Sequence, residues 1–560
     1  MLPRRSFAAL ALPFAGLLGT QHSPDFSYTS GRPISAAQAA YDVEHYDLAL
    51  RADPARRTID GVLTLTATLL AATPEVVLDL DSRLEVRAVA MGDEAVPFAH
   101  ARGEIAVRPP AGLTAIGERF RLAVTYGGEP REAPSPPWGG GFTWSTAPGG
   151  APWFATSCQE EGADLWWPCK DQPADEPMSA DLHFTVPEGL VVAANGRLVA
   201  SEAAETGWRT WHWHVSTPIN TYGIALNVGP YATIEREYTS VAGESFPVTF
   251  WVLPENLAKG RELFEDILRQ MAWFESVYGP YPFRADKYGV VETPHMGMEH
   301  QTIVAYGNRY RGNPWGPDQG FDFLHHHEFS HEWWANLVTA RNWNDFWIHE
   351  GFGTYAQALY TEYLHGPERY RVEMAVKRRA IANRAPVAPR EPRTTTEMSD
   401  WRRRDAPGND VYFKGSWVLH TLRWVLGDEA FFAALRRMAY PDPALERTTD
   451  GAACRFATTE EILAIAEAHA EIELDWLFEL YLRQPRLPVL HHEVVGDELR
   501  LRWKTPGDLS FPMPVPVRVG ERTVRVEMPE GRGAVALGRP AADFAIDPDD
   551  WVLRENQGHR

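Results

Sequence analysis

The stretch from Leu324 to Tyr355, L-H-H-H-E-F-S-H-E-W-W-A-N-L-V-T-A-R-N-W-N-D-F-W-I-H-E-G-F-G-T-Y, constrains the fold more than any other part of the chain. Within it His327, Glu328 and His331 spell H-E-x-x-H, and Glu350 follows His331 with eighteen residues between. Residues four apart on an α-helix differ by only roughly 40° of rotation and one turn of rise, so the two imidazoles project from one face and can share a cation. Zn²⁺ takes nitrogen and oxygen ligands at tetrahedral vertices, and a catalytic site keeps one vertex for water. Two histidines therefore need one carboxylate from elsewhere, and Glu350 is the candidate. The flanks W-W-A-N-L-V and W-I-H-E-G-F-G-T-Y read as amphipathic helix that stops and resumes around a short polar turn at Arg341 to Asp345. Glu328, one residue past the first ligand, lies beside the metal rather than on it and is the candidate general base. His325 and His326 are read as non-ligands, and one Zn²⁺ per chain is the expected cofactor.

At 560 residues the chain exceeds a single core and suggests three or so domains, with 44% apolar residues to fill them. A formal charge of −21 argues against nucleic acid or an anionic membrane as partner and suits an enzyme facing basic or amino-terminal groups. The first residues, M-L-P-R-R-S-F-A-A-L-A-L-P-F-A-G-L-L-G-T, have a basic start and an apolar run of signal-peptide length. Arg4 and Arg5 ahead of Ser6 and Phe7 resemble a twin-arginine export address, so residues 1–24 are expected to be an export signal and the protein periplasmic or extracellular, or cytoplasmic if that segment is no signal. No later apolar run is long enough for a stable membrane span. Cys158 and Cys169 could pair, with Cys454 left over, and spacing does not decide it.

Alternating strand patterns such as T-L-T-L-T-A-T and W-R-T-W-H-W-H-V mark residues 25–246 as an all-β domain, broken between Ala155 and Pro177 by polar and aromatic residues where a site can be built. Helical periodicity dominates residues 247–486, an α-rich catalytic domain with a small sheet at its head. Alternation returns in residues 487–560, enough for a small β-sandwich-like domain. The fold class expected is multidomain α+β.

Besides the metal motif, the chain carries W-W-P-C-K-D-Q-P at Trp166 to Pro173, M-G-M-E-H at Met296 to His300 and V-Y-F-K-G at Val411 to Gly415. With these, Tyr41 to about Val489 resembles peptidase family M1, the gluzincin aminopeptidases, a family that includes the leukotriene-converting epoxide hydrolase. The resemblance implies a saddle-like N-terminal β domain, a thermolysin-like zinc domain and removal of amino-terminal residues from peptides with a free N-terminus. It places Glu299, with Gly297 and Met298, in an exopeptidase motif usually written G-x-M-E-N, whose carboxylate holds the substrate's α-ammonium by a charge-assisted hydrogen bond. Gln159, ten residues before Cys169, is implied as a second acceptor, and Tyr412 as donor to the developing oxyanion. Lys414 is taken as structural. Met296 and His300 depart from the motif, His300 as a possible competitor for Glu299 when protonated, and Asp164 stands where many members carry Arg. Glu160, Glu161 and Asp164 are expected to add negative charge near Gln159. Many members also end in a large helical domain over the site, so a short β-rich tail implies a more open cleft. A zinc endopeptidase, an epoxide hydrolase on the same metal and a non-catalytic binding protein are the alternatives.

Overall fold

The structure, a computed structural model, describes residues 28–470, 472–538 and 543–555. The expected export signal lies outside them.

Strand Tyr41–Asp53 shows how alternation becomes a domain. Its buried side chains run Tyr41, Val43, then Tyr46, Leu48, Leu50 and Ala52, and the change of phase falls at a bulge between Val43 and His45. It lies at the middle of an eight-stranded sheet, parallel to Ser179–Pro187 on one side and antiparallel to Thr58–Leu69 on the other. A smaller sheet orders Val191–Ala194, Leu226–Gly229, Pro152–Ser157 and Gly141–Thr146. Between the two, the segment where alternation lapses is packed inside the domain: Trp166, Trp167, Cys158 and Cys169 are fully buried. Both thiols are free, and Cys158 donates to the Tyr222 carbonyl at 3.6 Å.

A further four-stranded sheet runs Ala232–Thr239, Ser245–Val252, Tyr288–Glu292 and Val304–Tyr306, so its first strand starts ahead of the boundary expected at residue 247. All of Tyr288–Glu292 is buried, as a parallel strand covered on both faces must be. The helices are α1 (Leu257–Tyr278), α2 (Phe323–Ser330), α3 (Trp347–His365), α4 (Pro367–Ala380), α5 (Thr395–Ser399), α6 (Asp410–Leu426), α7 (Asp428–Ala439), α8 (Thr459–Ala470) and α9 (Asp475–Leu482). Val489–Val495, Glu498–Lys504 and Arg532–Ala536 form one C-terminal sheet, with Arg522–Val526, Val515–Val519 and Phe544–Ile546 in another. Their inward residues, among them Leu501, Trp503, Val515 and Val517, share one core with the catalytic helices. Among the described residues no helix is long and apolar enough to cross a membrane.

One expectation is corrected. W-W-A-N-L-V does not continue the metal helix: α2 ends at Ser330, Glu332–Leu337 winds as a π-turn in which Trp334 (φ −112°, ψ 61°) and Ala335 (φ 167°, ψ −49°) leave helical geometry, and Val338–Ala340 is a strand beside Arg455–Ala457. The break accompanies the burial of two adjacent indoles. Trp333 stacks on Phe274 at 5.3 Å while Trp334 must reach Phe352 of α3 at 4.2 Å, and both indoles are fully buried.

Candidate active site

Two helix contacts bring the metal-motif residues together. Gly353 of α3 lies beneath two imidazole rings: a Cβ there would fall 3.1 Å from His331 Cε1 and 3.3 Å from His327 Cε1. Gly351 and Gly415 let α3 and α6 meet backbone to backbone, since a Cβ on Gly351 would fall 3.0 Å from Gly415 Cα. Glu350 and Tyr412 are carried to one centre by that crossing.

The three expected ligands converge. His327 Nε2 lies 3.2 Å from Glu350 Oε2 and 3.3 Å from His331 Nε2, and His331 Nε2 lies 3.5 Å from the same carboxylate oxygen. Metal–ligand bonds of about 2.0–2.1 Å at tetrahedral angles separate neighbouring ligand atoms by roughly 3.3–3.5 Å, so the donor set fits a tetrahedral divalent cation. His331 is oriented through its other nitrogen, Nδ1, 3.0 Å from the Trp334 carbonyl. That carbonyl is available because the chain leaves the helix at Trp334; inside a regular helix it would accept from the amide four residues on. Burial alone would lower the His331 pKa, but Glu350, with Glu299 and Glu328 behind it, carries it up to about 10. Burial would raise Glu350, yet His331 and His327 hold it well below the usual carboxylate range.

Glu328 is 6% exposed and stays off the three-ligand set, as expected of a base. Its carboxylate rests where Gly297 has no side chain: a Cβ on Gly297 would fall 2.1 Å from Glu328 Oε1. Burial and then the Glu299 charge push its pKa well above the ordinary value. Glu328, Glu299 and His331 bring one ligating atom each within 4.8 Å of one another, so the expected base and amine anchor are neighbours. Met298 is buried among N-terminal-domain side chains, and its carbonyl accepts from Ala305 N at 2.9 Å.

The surroundings of Glu299, the expected amine anchor, come from both large domains. Glu299, 3% exposed, accepts from Gln159 Nε2 and, at 3.2 Å, from the Tyr222 hydroxyl. Burial lifts its pKa to about 7, with His331 opposing and Glu350 adding to the rise. Tyr412 stacks on His327, ring centroids 6.1 Å apart at 27°. Burial first, and then Glu350, Glu160, Glu299 and Glu328, push its phenol pKa well above the usual value, which keeps it a donor.

The departures from the motif resolve differently. His300 is fully buried, burial lowers its pKa to about 3, and neither ring nitrogen has a partner, so it stays neutral and does not compete for Glu299. Glu161 is neutralised by Arg131 at 2.9 Å, and Asp164 is buried against Asp171 in the β domain. For Glu160, burial lifts the pKa to about 8, Ser399 opposes the rise through a hydrogen bond, and Glu161, Glu350 and Asp400 add to it. His325 bridges Tyr288 and Gln270 at 2.8 and 2.7 Å, and His326 is packed among Trp273, Phe274, Phe321 and Tyr360; neither is a ligand. Lys414 donates to the Gln484 carbonyl at 2.9 Å, a structural role. Nothing in the sequence singles out Tyr222 or Asn336, which the fold places beside Glu299.

The chain matches the sequence profile of the Peptidase M1 N-terminal domain over residues 42–222 and that of the Peptidase family M1 domain over residues 264–440. It is 28% identical to aminopeptidase B of Rattus norvegicus, covering 72% of this chain and 65% of the relative, and 29% identical to aminopeptidase N of Streptomyces lividans over 46% and 31% of the two chains. The chain thus spans about two thirds of the length of the aminopeptidase B relatives it matches, 65–66%. Among solved structures it resembles an M1 zinc metallopeptidase of Deinococcus radiodurans, with a TM-score of 0.63 at 22% identity over 82% of this chain and 95% of that one. A form of that enzyme bound to a Tyr-Ser-Ala substrate gives a TM-score of 0.63 at 23% identity over 81% and 96%.

Proposed function

Since the chain belongs to peptidase family M1, we propose that it is a zinc aminopeptidase that hydrolyses amino-terminal residues from peptides. The observation that carries the reading is the Glu299 carboxylate, buried, held by donors from the other domain and adjoining Glu328 and the ligand set. A free α-ammonium is the group such a carboxylate fits, and a peptide held there presents its first peptide bond to the centre. His327, His331 and Glu350 would hold one Zn²⁺, which when bound supplies a Lewis acid for the scissile carbonyl and a water of lowered pKa. Glu328 takes the proton of the attacking water and returns it to the leaving amine. Tyr412 donates to the carbonyl oxygen as charge develops there. Glu299, with the Gln159 amide beside it, fixes the amino end so that these groups meet the right bond.

A panel of aminoacyl chromogenic amides, free and N-acetylated, with and without chelator, tests the reading. Cleavage of the free amides only, lost on chelation and restored by Zn²⁺, is expected; equal cleavage of the acetylated series would point to an endopeptidase instead. Export through residues 1–24 belongs to the same proposal, supported by the basic start, apolar run and paired arginines. Detection of the protein only in the cytoplasm of a twin-arginine-competent cell, with residues 1–24 retained, would remove it.

A further inference from the structure

An enzyme that cuts one residue from an end must hold the amine anchor at a fixed distance from its metal, yet Glu299 lies in a loop between two strands while His327 lies on α2 and His331 at its C-terminal cap. A buried polar relay joins them. Asn336 lies two residues past the helix break: its backbone N donates to the His331 carbonyl at 2.9 Å, and its side-chain Nδ2 donates to the Glu299 carbonyl at 3.0 Å and toward Glu332 at 3.4 Å. Its Oδ1 accepts from Asn220 Nδ2 at 3.4 Å. The Asn220 Oδ1 in turn accepts from Gly223 N at 2.6 Å, capping the short turn Thr221–Gly223 that carries Tyr222, whose hydroxyl donates to Glu299 Oε1 at 3.2 Å. The path thus leaves a metal ligand, grips the main chain of the amine anchor, crosses into the β domain and returns to the carboxylate of that same anchor.

Only a primary amide serves at position 336. It needs two donor hydrogens for Glu299 and Glu332 and an acceptor for Asn220 on a stem short enough to turn back beside the break; aspartate lacks the donors and a hydroxyl has one. Asn220, Tyr222, Glu299, His331 and Asn336 are each 3% exposed or less, so water does not replace any link.

We propose that Asn336 and Tyr222 are positioning residues that set the spacing between the metal centre and the amine anchor, acting through Glu299; this rests on the aminopeptidase reading above. The test is a cycle with Glu299. In the zinc-loaded full chain, Asn336→Ala is expected to raise KM for a free aminoacyl amide about tenfold or more while zinc stays at one per chain. In a Glu299→Ala background the same substitution is expected to change KM less than twofold. Tyr222→Phe, which removes only a hydroxyl and leaves the turn capped, is expected to show the same coupling with a smaller shift, and it carries the test should Asn336→Ala not yield folded protein. A purely structural part would give equal losses in both backgrounds, or lost zinc and a lowered Tm with KM unchanged; either overturns the proposal. A wild-type chain that cleaves no free aminoacyl amide sinks the aminopeptidase reading and this inference with it, whereas an active wild type with uncoupled variants sinks this inference alone.

Discussion

At the scale of single residues, one side-chain type serves three ends because its neighbours differ. Glu350 faces two imidazoles and stays ionised, Glu299 faces an amide and a phenol that can orient it toward an ammonium, and Glu328 rests over a glycine with no cation of its own. Glu328→Gln keeps the shape and removes the proton acceptor, so kcat is expected to fall about 10²–10⁴-fold with zinc content unchanged by elemental analysis. Substantial turnover in that variant would move the base elsewhere. Tyr412→Phe removes a donor aimed at developing charge, and a kcat loss of about 10²–10³ with little change in KM is expected; a loss confined to KM would make Tyr412 a binding residue. His327, Glu328 and His331 were legible in the sequence because helical spacing itself encodes their proximity, and Glu350 because two histidines leave a vertex for a carboxylate. Tyr222 and Asn336 were not, because they meet Glu299 only through tertiary packing across 77 and 37 residues of chain. The fate of His300 was equally hidden, since the sequence shows a titratable ring and only the fold shows that it is buried.

Between elements, what matters is how closely α3 approaches its two neighbours. Gly351 has the Gly415 backbone against it and Gly353 has the His327 and His331 rings, so α3 has no room for a methyl group at either position. Alanine in a helix interior is ordinarily favoured over glycine by about 1 kcal/mol. Gly351→Ala is nonetheless expected to lower Tm, because its Cβ meets backbone that cannot rotate aside, with overpacking costing roughly 1–3 kcal/mol. The displacement should separate Glu350 from Tyr412, lowering both kcat and zinc retention in a chelator competition. A raised Tm with unchanged activity would show that the crossing tolerates the methyl. The strand alternation and most helices follow from local pattern, and so were readable. The winding of Glu332–Leu337 was not, because W-W-A-N-L-V is compatible with a helix and the packing of its two indoles against α1 and α3 is set only by the tertiary fold. That same departure frees the Trp334 carbonyl for His331 and sets Asn336 toward Glu299, so the segment least predictable from sequence is the one that aligns the site.

For the whole molecule, the site exists only while the β domain and the catalytic domain stay in register, since Gln159 and Tyr222 come from one and the metal ligands from the other. Lys287 is one of the ties. Its ammonium, 3% exposed, donates to the Ala194 carbonyl at 2.9 Å on the β-domain side and to the Thr302 carbonyl at 2.7 Å just beyond the exopeptidase motif. Burial lowers its pKa from 10.5 to about 7, against the pull of Asp286 and Glu332. The sign of the pH dependence follows from proton counting: between about 7 and 10.5 the unfolded chain holds a proton at this lysine that the folded chain has released, so stability rises with pH across that window. Below about 7 both states are protonated and the term is flat. The rise amounts to about 2 kcal/mol between pH 7 and pH 9. Lys287→Met fills similar volume without a titratable group, and removing the charge lets the neighbouring Glu332 and Asp286 hold their protons to higher pH, which costs the variant stability in the same direction. The difference in Tm between wild type and Lys287→Met is therefore expected to move in favour of the wild type as pH is raised from 7 to 9. If the difference stays constant, Lys287 in the folded chain holds its proton across pH 7 to 9 as an ordinary lysine does, and its burial between the domains carries no such cost.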